Sequence, residues 1–346
     1  MKRTSFPLSA LVLLIVSLDT PAQTLPARQV PARSIPVPAD VSAQAQKMIS
    51  KPVSTDNAPV PQTAEEWRAL VSAANKQEAQ HALALENEFQ VSVKPGKIAG
   101  VPVFYVTPQV ITAKTGTLLV HVHGGAYVLF GGLAATSEAI LIAHYTGAET
   151  VSIDYRMPPD APFPAAVDDS VAVWKDLIKT HNPRSMALFG TSAGGGLTLA
   201  TVLKLKELGA PLPGALMAGT PWADLTQTGD TEWTNEFIDN VLVKYPGDLG
   251  ASARLYAGSH DLKEPLLSPV YGDLSGFPPT VLISGTRDLF LSDTVRVHQK
   301  LLQAGVEAQL LVLEGQSHAQ YLDAEVPESQ TALKEVAQFL DRHLNR

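Results

Sequence analysis

Short apolar runs, spaced along the last two thirds of the chain, constrain its fold more than any other feature. Each is four or five residues long and almost free of polar side chains, which is typical of strands covered on both faces of a sheet. Helical patterns separate the runs, so the chain crosses over between parallel neighbours. The sequence therefore predicts an α/β fold with a mostly parallel, doubly wound sheet. The runs occupy residues 118–122, 150–153, 186–189, 215–218, 280–283 and 309–313.

Three helices between and after these runs have recognisable ends. Residues 197–208 form an amphipathic pattern that stops at a glycine, and Ser292 is the expected cap of a helix that runs to residue 304. Pro327 is expected to begin the last helix. By contrast, residues 226–262 lack strand signals and contain several aromatic residues. This pattern predicts that the stretch leaves the sheet, and the stretch is a candidate cap element.

The first 22 residues have the pattern of a secretory signal peptide. Lys2 and Arg3 precede an apolar run over residues 8–18, and Thr20-Pro21-Ala22 supplies small residues for cleavage. The run is short for a bilayer span, although an uncleaved N-terminal anchor is the alternative. The sequence thus predicts an exported protein, either periplasmic or secreted, with no stable membrane insertion once the signal is removed.

The segment that follows the signal, residues 23–62, is rich in proline and reads either as a tether or as part of a cap. A helical piece is expected over residues 42–49. Thr63 and Glu66 then form a capping-box pattern that predicts the start of a helix within residues 63–90. Two β-rich runs, 89–93 and 101–106, predict a hairpin that turns at Lys94-Pro95-Gly96.

Composition excludes several kinds of site and partner. The 346 residues contain no cysteine, which rules out disulfides, thiolate metal sites and a cysteine nucleophile. The 26 Lys and Arg residues are outnumbered by 34 Asp and Glu residues, giving a formal net charge of −8. An acidic chain without a basic block is a poor match for nucleic acid.

The pentapeptide Gly190-Thr191-Ser192-Ala193-Gly194 directly follows a predicted buried strand and precedes a helix. In that context the GxSxG pattern indicates a nucleophile elbow, in which a tight turn exposes the serine hydroxyl above the sheet. Glycines on both sides leave room for the strained backbone. The alternative role for Ser192 is simply to cap the helix.

A second loop, His123-Gly124-Gly125-Ala126, follows the run at 118–122. Its glycine amides can converge on one point, so Gly124, Gly125 and Ala193 are the candidate oxyanion-hole donors. His121 and His123 also resemble a metal-ligand pair, but the sequence has no further ligands at suitable spacing. His123 is expected to hold the loop in shape, and no metal or organic cofactor is expected.

A nucleophilic serine needs a base and an orienting acid, which follow it in the order acid and then histidine in this type of fold. Of the later histidines, only His318 lies in the loop after the last predicted strand. Asp288 lies just beyond the strand at 280–283 and is the preferred acid. Asp293, in the first turn of a helix, and Glu314 are the competing candidates.

Together these motifs resemble the bacterial hormone-sensitive-lipase-like branch of the α/β-hydrolases. Residues 154–159 (Asp-Tyr-Arg-Met-Pro-Pro) and 162–169 (Pro-Phe-Pro-Ala-Ala-Val-Asp-Asp) are similar to the signature after the fourth strand of that family. Residues 268–270 and 278–280 are similar to its approach to the acid-bearing strand. The resemblance covers residues 67–344.

The resemblance implies carboxylic ester hydrolysis, with Ser192 as nucleophile, Asp288 as acid and His318 as base. It also implies short-chain substrates and a catalytic domain over residues 63–346 with an N-terminal helical cap, to which residues 63–90 are assigned and for which residues 226–262 are a further candidate. Dimers are frequent in the family, and a homodimer is the corresponding expectation. Arg156 and Asp168 match positions that hold loops together in the family, so neither is assigned a catalytic role. The expected partner is a small-molecule ester. The alternatives are a lactone hydrolase with the same residues and a non-catalytic ligand-binding protein on the same scaffold.

Overall fold

A computed structural model describes residues 27–54 and 59–344 of the chain. The predicted signal peptide, residues 1–22, lies outside the described residues. Within the N-terminal unit, which ends at Pro36, residues 27–36 have no regular secondary structure and are mostly exposed. The unit from Val37 onward contains every helix and strand of the described chain.

An eight-stranded sheet in the order β1-β2-β4-β3-β5-β6-β7-β8 forms the centre of this unit. The strands from β3 to β8 are all parallel, while β2 is antiparallel to both β1 and β4. The predicted fold class is thus confirmed, and every predicted run is a strand. The strands are β1 (Val91–Ile98), β2 (Val101–Pro108), β3 (Leu118–Val122), β4 (Glu149–Ile153), β5 (Met186–Thr191), β6 (Ala215–Gly219), β7 (Thr280–Gly285) and β8 (Ala308–Leu313).

The predicted hairpin is present, but its turn was placed wrongly. The chain turns at Ala99 and Gly100, which have φ values of 48° and 86°, and not at residues 94–96. Pro95 lies inside β1, opposite Phe104. Proline is tolerated there because β1 is the edge strand, where one side of the backbone has no ladder partner to satisfy.

Helices cover both faces of the sheet. Helices α4, α5 and α8 pack on one face, and α3 and α9 pack on the other. The connections also include short 3₁₀ turns at Gly132–Thr136, Pro183–Ser185, Pro269–Tyr271 and Gln320–Leu322. The α-helices are α1 (Ala43–Ile49), α2 (Ala64–Phe89), α3 (Ser137–Thr146), α4 (Ala165–Leu177), α5 (Ala193–Glu207), α6 (Thr231–Thr234), α7 (Asp248–Ala257), α8 (Leu291–Gln303) and α9 (Pro327–His343).

Most predicted helix starts are confirmed, and two need correction. The Thr63 capping box precedes α2, and Pro327 begins α9 as expected. Helix α5 begins four residues earlier than predicted, at Ala193, directly after Ser192. Ser292 does not cap α8, since it lies within the first turn, and its hydroxyl accepts a hydrogen bond from the Thr231 amide.

Helix α1 is attached to the C-terminal helix. The carboxylate of Glu328 in α9 accepts hydrogen bonds from the Ser42 amide at 2.6 Å and from the Ser42 hydroxyl at 2.7 Å. Met48 and Ile49 pack against Val326 in a small buried cluster. This part of the proline-rich segment is therefore a fixed element of the fold. In the described ranges, no helix has both the length and the apolar composition needed to cross a bilayer.

Candidate active site

Ser192 lies on the sharp turn between β5 and α5. Its φ of 63° and ψ of −124° place it in a strained conformation that ordinary residues avoid. A Cβ atom on either Gly190 or Gly194 would collide with the carbonyl oxygen of Val122 on the neighbouring strand. The two glycines are therefore required for the turn to pack against β3, and this packing sets the position of the serine hydroxyl.

The structure brings Ser192, His318 and Asp288 together in a hydrogen-bonded row. The Oγ atom of Ser192 lies 2.8 Å from Nε2 of His318, and Nδ1 of His318 lies 3.0 Å from Oδ1 of Asp288. Because ionised Asp288 can only accept, Nδ1 carries the proton and Nε2 is free to accept the serine proton. His318 is only 4% exposed and Asp288 is fully buried. This arrangement allows an imidazole to activate the hydroxyl while a carboxylate orients the ring.

The Asp288 carboxylate has an unusually complete set of donors. Its Oδ1 also accepts from the Phe290 amide at 2.9 Å, while Oδ2 accepts from the hydroxyls of Ser284 at 2.8 Å and of Thr220. Burial disfavours ionisation of Asp288, yet the charge of His318 and the hydrogen bonds from His318 and Thr220 outweigh it. The pKa of Asp288 is consequently below its usual value, so the group is ionised throughout the neutral range.

The glycine loop after β3 lies against the elbow. A Cβ atom on Gly124 would lie 2.8 Å from the Thr191 carbonyl oxygen and 3.4 Å from Cβ of Ser192, so the backbones are in close contact. Gly125 has a φ of 97°, and its carbonyl accepts from the amides of Val128 and Leu129. Among the described residues, no acceptor binds the amides of Gly124, Gly125 or Ala193. All three remain available to stabilise an oxyanion next to Ser192.

The two histidines at the end of β3 have separate structural roles. Nδ1 of His123 donates to the Gly124 carbonyl at 2.8 Å, and the ring stacks on Tyr155 at 4.1 Å, so His123 holds the loop as expected. Burial lowers the pKa of His123 to about 3, which keeps the ring neutral. His121 instead contacts Ser152 and Glu138. Within residues 27–54 and 59–344, no cluster of potential ligands suits a metal ion.

Asp239 is a buried site residue that sequence reasoning missed. One oxygen of its carboxylate accepts from the amides of Leu289 at 3.0 Å and His318 at 3.3 Å, thereby joining the acid loop to the base loop. Burial and the nearby charge of Asp288 raise the pKa of Asp239. Asp239 lies in the excursion between β6 and β7, where no local motif marks it. Only the folded chain reveals its contacts.

A pocket of about 500 Å³ opens above Ser192 and His318. Helix α2 contributes Trp67, Leu70 and Glu78 to the wall, so the predicted 63–90 element borders the site. The 226–262 excursion contributes a second wall. Its lining residues are Val241, Leu242, Asp248, Leu249 and Ser252. The lining is mainly apolar, which suits a small organic ligand with one reactive polar group.

The competing acids lie away from the base. Asp293 is fully buried, and its Oδ2 accepts from the amides of Ala223 and Asp224 at 3.0 and 2.9 Å. Asp293 therefore holds a loop, as its predicted structural role requires. Glu314 is exposed. Arg156 forms its ion pair with Asp169 at 2.7 Å, so Asp169 rather than Asp168 makes the loop-holding contact suggested by the family pattern.

Glu232 should make the stability of the protein depend on pH. It is 1% exposed, and burial together with the charge of Asp224 raises its pKa to about 8, compared with 4.5 for an ordinary glutamate. Between these values the folded chain holds a proton that the unfolded chain has lost. The free energy of unfolding is therefore expected to fall, on the order of a few kcal/mol, as pH rises from about 5 to about 8.

Urea unfolding of Glu232→Gln at several pH values measures this effect, because glutamine mimics the protonated form. Glu232→Gln should reduce the pH dependence across that window, and the remainder should come from other buried carboxyls with a raised pKa, such as Asp293 and Asp239. Glu236→Gln, a change at a partly exposed glutamate nearby, should leave the pH dependence as it is in the wild type. If the free energy of unfolding depended on pH equally in the wild type and in Glu232→Gln, the raised pKa assigned to Glu232 would be contradicted.

Comparisons with known proteins agree with this geometry. Residues 119–322 match a family model described as the alpha/beta hydrolase fold. An acetyl-hydrolase of Streptomyces hygroscopicus is 34% identical over 62% of this chain and 72% of its own length. The crystal structure of esterase E25 superposes with a TM-score of 0.89 at 47% identity, covering 92% of this chain and 99% of that one. An esterase from the bacterial hormone-sensitive lipase family gives a TM-score of 0.68 at 28% identity, covering 82% and 99%.

Proposed function

The chain belongs to the bacterial hormone-sensitive-lipase-like branch of the α/β-hydrolases and is a carboxylic ester hydrolase, and we propose that it cleaves short-chain esters with Ser192, His318 and Asp288 as its catalytic triad. The observation that carries this assignment of residues is the contact of 2.8 Å between Ser192 Oγ and His318 Nε2, on the floor of the pocket. Asp288 accepts a hydrogen bond from the protonated Nδ1 of His318 and so keeps Nε2 unprotonated.

In the first half of the proposed reaction, His318 accepts the hydroxyl proton as Ser192 attacks the ester carbonyl. Negative charge develops on the carbonyl oxygen, and the amides of Gly124, Gly125 and Ala193 stabilise it. The intermediate collapses to an acyl-enzyme as the alcohol leaves with the proton from His318. Asp288 stays ionised and stabilises the imidazolium throughout.

In the second half, a water molecule replaces the alcohol. His318 accepts a proton from the water, which attacks the acyl-enzyme carbonyl, and the same three amides stabilise the second oxyanion. Collapse of this intermediate returns the proton to Ser192 and releases the carboxylic acid.

The preference for short acyl chains rests on the enclosed site. The pocket holds about 500 Å³ between α2 and the excursion, a volume suited to a small ester. Polar groups, including Glu78, Ser137 and Glu138, line part of the wall, and a long hydrocarbon chain lying there would take these groups out of water without offering them hydrogen bonds.

Hydrolysis of p-nitrophenyl esters with two to sixteen acyl carbons tests the proposal, together with labelling by a fluorophosphonate reagent. We expect kcat/KM to peak at short chains and to fall at least about tenfold for the longest esters. Mass spectrometry should find the phosphonyl group on Ser192. A maximum at long chains would contradict the short-chain proposal, while labelling elsewhere would contradict the assignment of the nucleophile.

We further propose that the protein is exported, on the basis of the signal pattern in residues 1–22. Cleavage after Ala22 would release a periplasmic or secreted enzyme without a stable membrane anchor. N-terminal sequencing of the protein from the culture medium and the periplasm tests this. The homodimer and the division into a cap and a catalytic domain stay predictions, and light scattering measures the first of them.

A further inference from the structure

A row of buried polar side chains lies beneath the elbow, outside the triad. Oγ1 of Thr191 donates to Oε1 of Glu138 at 2.5 Å, and the hydroxyl of Tyr321 is hydrogen-bonded to the same Thr191 oxygen. The three residues are 3%, 7% and 2% exposed, respectively. Hydrogen bonds in such a dry environment are strong when every partner is present and costly when one partner is lost. The mechanism proposed above uses none of these groups.

The direction of the hydrogen bonds follows from the available protons. Burial and the charge of Glu138 raise the pKa of Tyr321 well above its usual value, so the phenol keeps its proton. Thr191 has one hydroxyl proton, which goes to the Glu138 carboxylate, and its lone pair accepts from Tyr321. Tyr321 thus donates to Thr191, and Thr191 donates to Glu138.

Glu138 is itself fixed on its other side. Its Oε2 lies 3.1 Å from Nε2 of His121, whose Nδ1 lies 2.9 Å from the Ser152 hydroxyl. That hydroxyl donates to the carbonyl of Ala135 at 3.0 Å, so Nδ1 of His121 is the donor to Ser152. Glu138 is therefore held by α3, β3 and β4, and it forms a rigid end point for the row.

The other end of the row reaches the two loops that carry the reacting groups. Thr191 directly precedes Ser192, and Tyr321 follows His318 by three residues in the same loop. A Cβ atom on Gly219 would collide with the Tyr321 hydroxyl, so this hydroxyl fits closely against β6. The Gly219 carbonyl also accepts from the Ser192 amide at 2.9 Å. The phenol thus lies at the junction of the elbow, β6 and the base loop.

We propose that Tyr321 and Thr191 are positioning residues that hold the His318 ring at proton-transfer distance from Ser192, with Glu138 as their fixed anchor. The inference rests on the proposed roles of Ser192 and His318 and adds the groups that set their separation. Without the phenol hydroxyl, the base loop is joined to the elbow, in the described part of the chain, only through the His318–Ser192 contact itself, and no second contact fixes their separation. Because proton transfer is sensitive to sub-ångström changes in distance, the loss should appear in kcat.

The test measures kcat and KM for a short p-nitrophenyl ester, and the rate of fluorophosphonate labelling, in Tyr321→Phe, Thr191→Val and the double variant. We expect each single change to lower kcat and the labelling rate by about tenfold, with KM within about twofold. The double variant should lose about tenfold as well, since both changes break one shared contact. Thr191→Ser keeps the hydroxyl and should restore most of the loss.

The chain offers matched controls for both substitutions. The hydroxyls of Tyr256 and Thr198 are also buried, and neither has a hydrogen-bond partner in the part of the chain that the structure describes. Tyr256→Phe and Thr198→Val therefore remove the same atoms without breaking a hydrogen bond. Both variants should keep wild-type kcat, and thermal unfolding of every variant separates a loss of stability from a loss of rate.

Several results would overturn the inference. The first is a kcat and a labelling rate in Tyr321→Phe equal to those of the wild type. The second is a fall in kcat in Tyr321→Phe no larger than that in Tyr256→Phe. The third is a fall in kcat in the double variant equal to the product of the two single falls. Failure of the proposed function would differ, because the wild-type protein would then hydrolyse none of the esters. Labelling of Ser192 does not depend on the choice of ester, so the labelling rates would still decide the role of Tyr321.

Discussion

Replacing Ser192 by alanine is expected to lower kcat for ester hydrolysis by about 10⁶-fold while leaving the fold intact. The change removes the oxygen that is proposed to form the acyl-enzyme, and the oxyanion donors and the pocket remain to give a weak residual rate. The alanine also relieves none of the backbone strain, because the φ of 63° at this position is set by the packing of Gly190 and Gly194. Steady-state kinetics with p-nitrophenyl acetate would measure the loss.

Ser170→Ala is a suitable control for the serine substitution. Ser170 is 1% exposed in α4, and its hydroxyl donates only to the Ala166 carbonyl within the same helix. This variant should keep kcat within about twofold of wild type. Retention of more than about one thousandth of the activity by Ser192→Ala would mean that another group supplies the nucleophile.

Replacing Asp288 by asparagine is expected to lower kcat by about 10⁴-fold with a smaller effect on KM. Each oxygen of the carboxylate accepts two hydrogen bonds. In asparagine an NH2 group replaces one of these oxygens, and its hydrogens would face the two groups that donate to that oxygen in the wild type. If the amide nitrogen faces His318, Nδ1 must become the acceptor and the ring proton moves to Nε2. A protonated Nε2 cannot accept the proton of Ser192, so the base is lost although the geometry is kept.

Asp293→Asn is the matched control, since Asp293 is the competing candidate for the acid and is also fully buried. Burial and the charge of Glu232 raise the pKa of Asp293 well above its usual value, so the neutral asparagine resembles the form already present. The side-chain oxygen of the asparagine can take the place of Asp293 Oδ2 and accept from the amides of Ala223 and Asp224. We expect wild-type kcat in this variant, and a loss like that of Asp288→Asn would reverse the assignment of the acid.

The strands and the motif residues could be predicted from sequence because their signals are local. Buried strands such as β3 and β5 are continuous apolar runs, and the residues around Ser192 form a contiguous pattern. The start of α5 was missed because Gly194 and its neighbours disfavour a helix on propensity alone. In the folded chain, tight contacts with β3 and with the loop after β6 override that preference.

The groups that surround the triad carry no comparable signal. Asp239, Thr220 and Tyr321 lie far from Ser192 in sequence, and each meets its partner only through the order of the strands. The hairpin error has a similar cause, since Pro95 and Gly96 look like a turn until β1 is known to be an edge strand. Local patterns thus predicted the residues that we propose to react, while their supporting contacts required the tertiary structure.

The attachment of α1 to α9 also has a consequence for biosynthesis. Ser42 and Glu328 are separated by 286 residues, so α9 is synthesised long after α1. Helix α1 therefore cannot dock until α9 has emerged from the ribosome, and its apolar residues Met48 and Ile49 stay uncovered until then. Closure of so long a loop makes this contact a late event in folding. The N-terminal segment would thus remain accessible to chaperones or to a translocation machinery throughout synthesis.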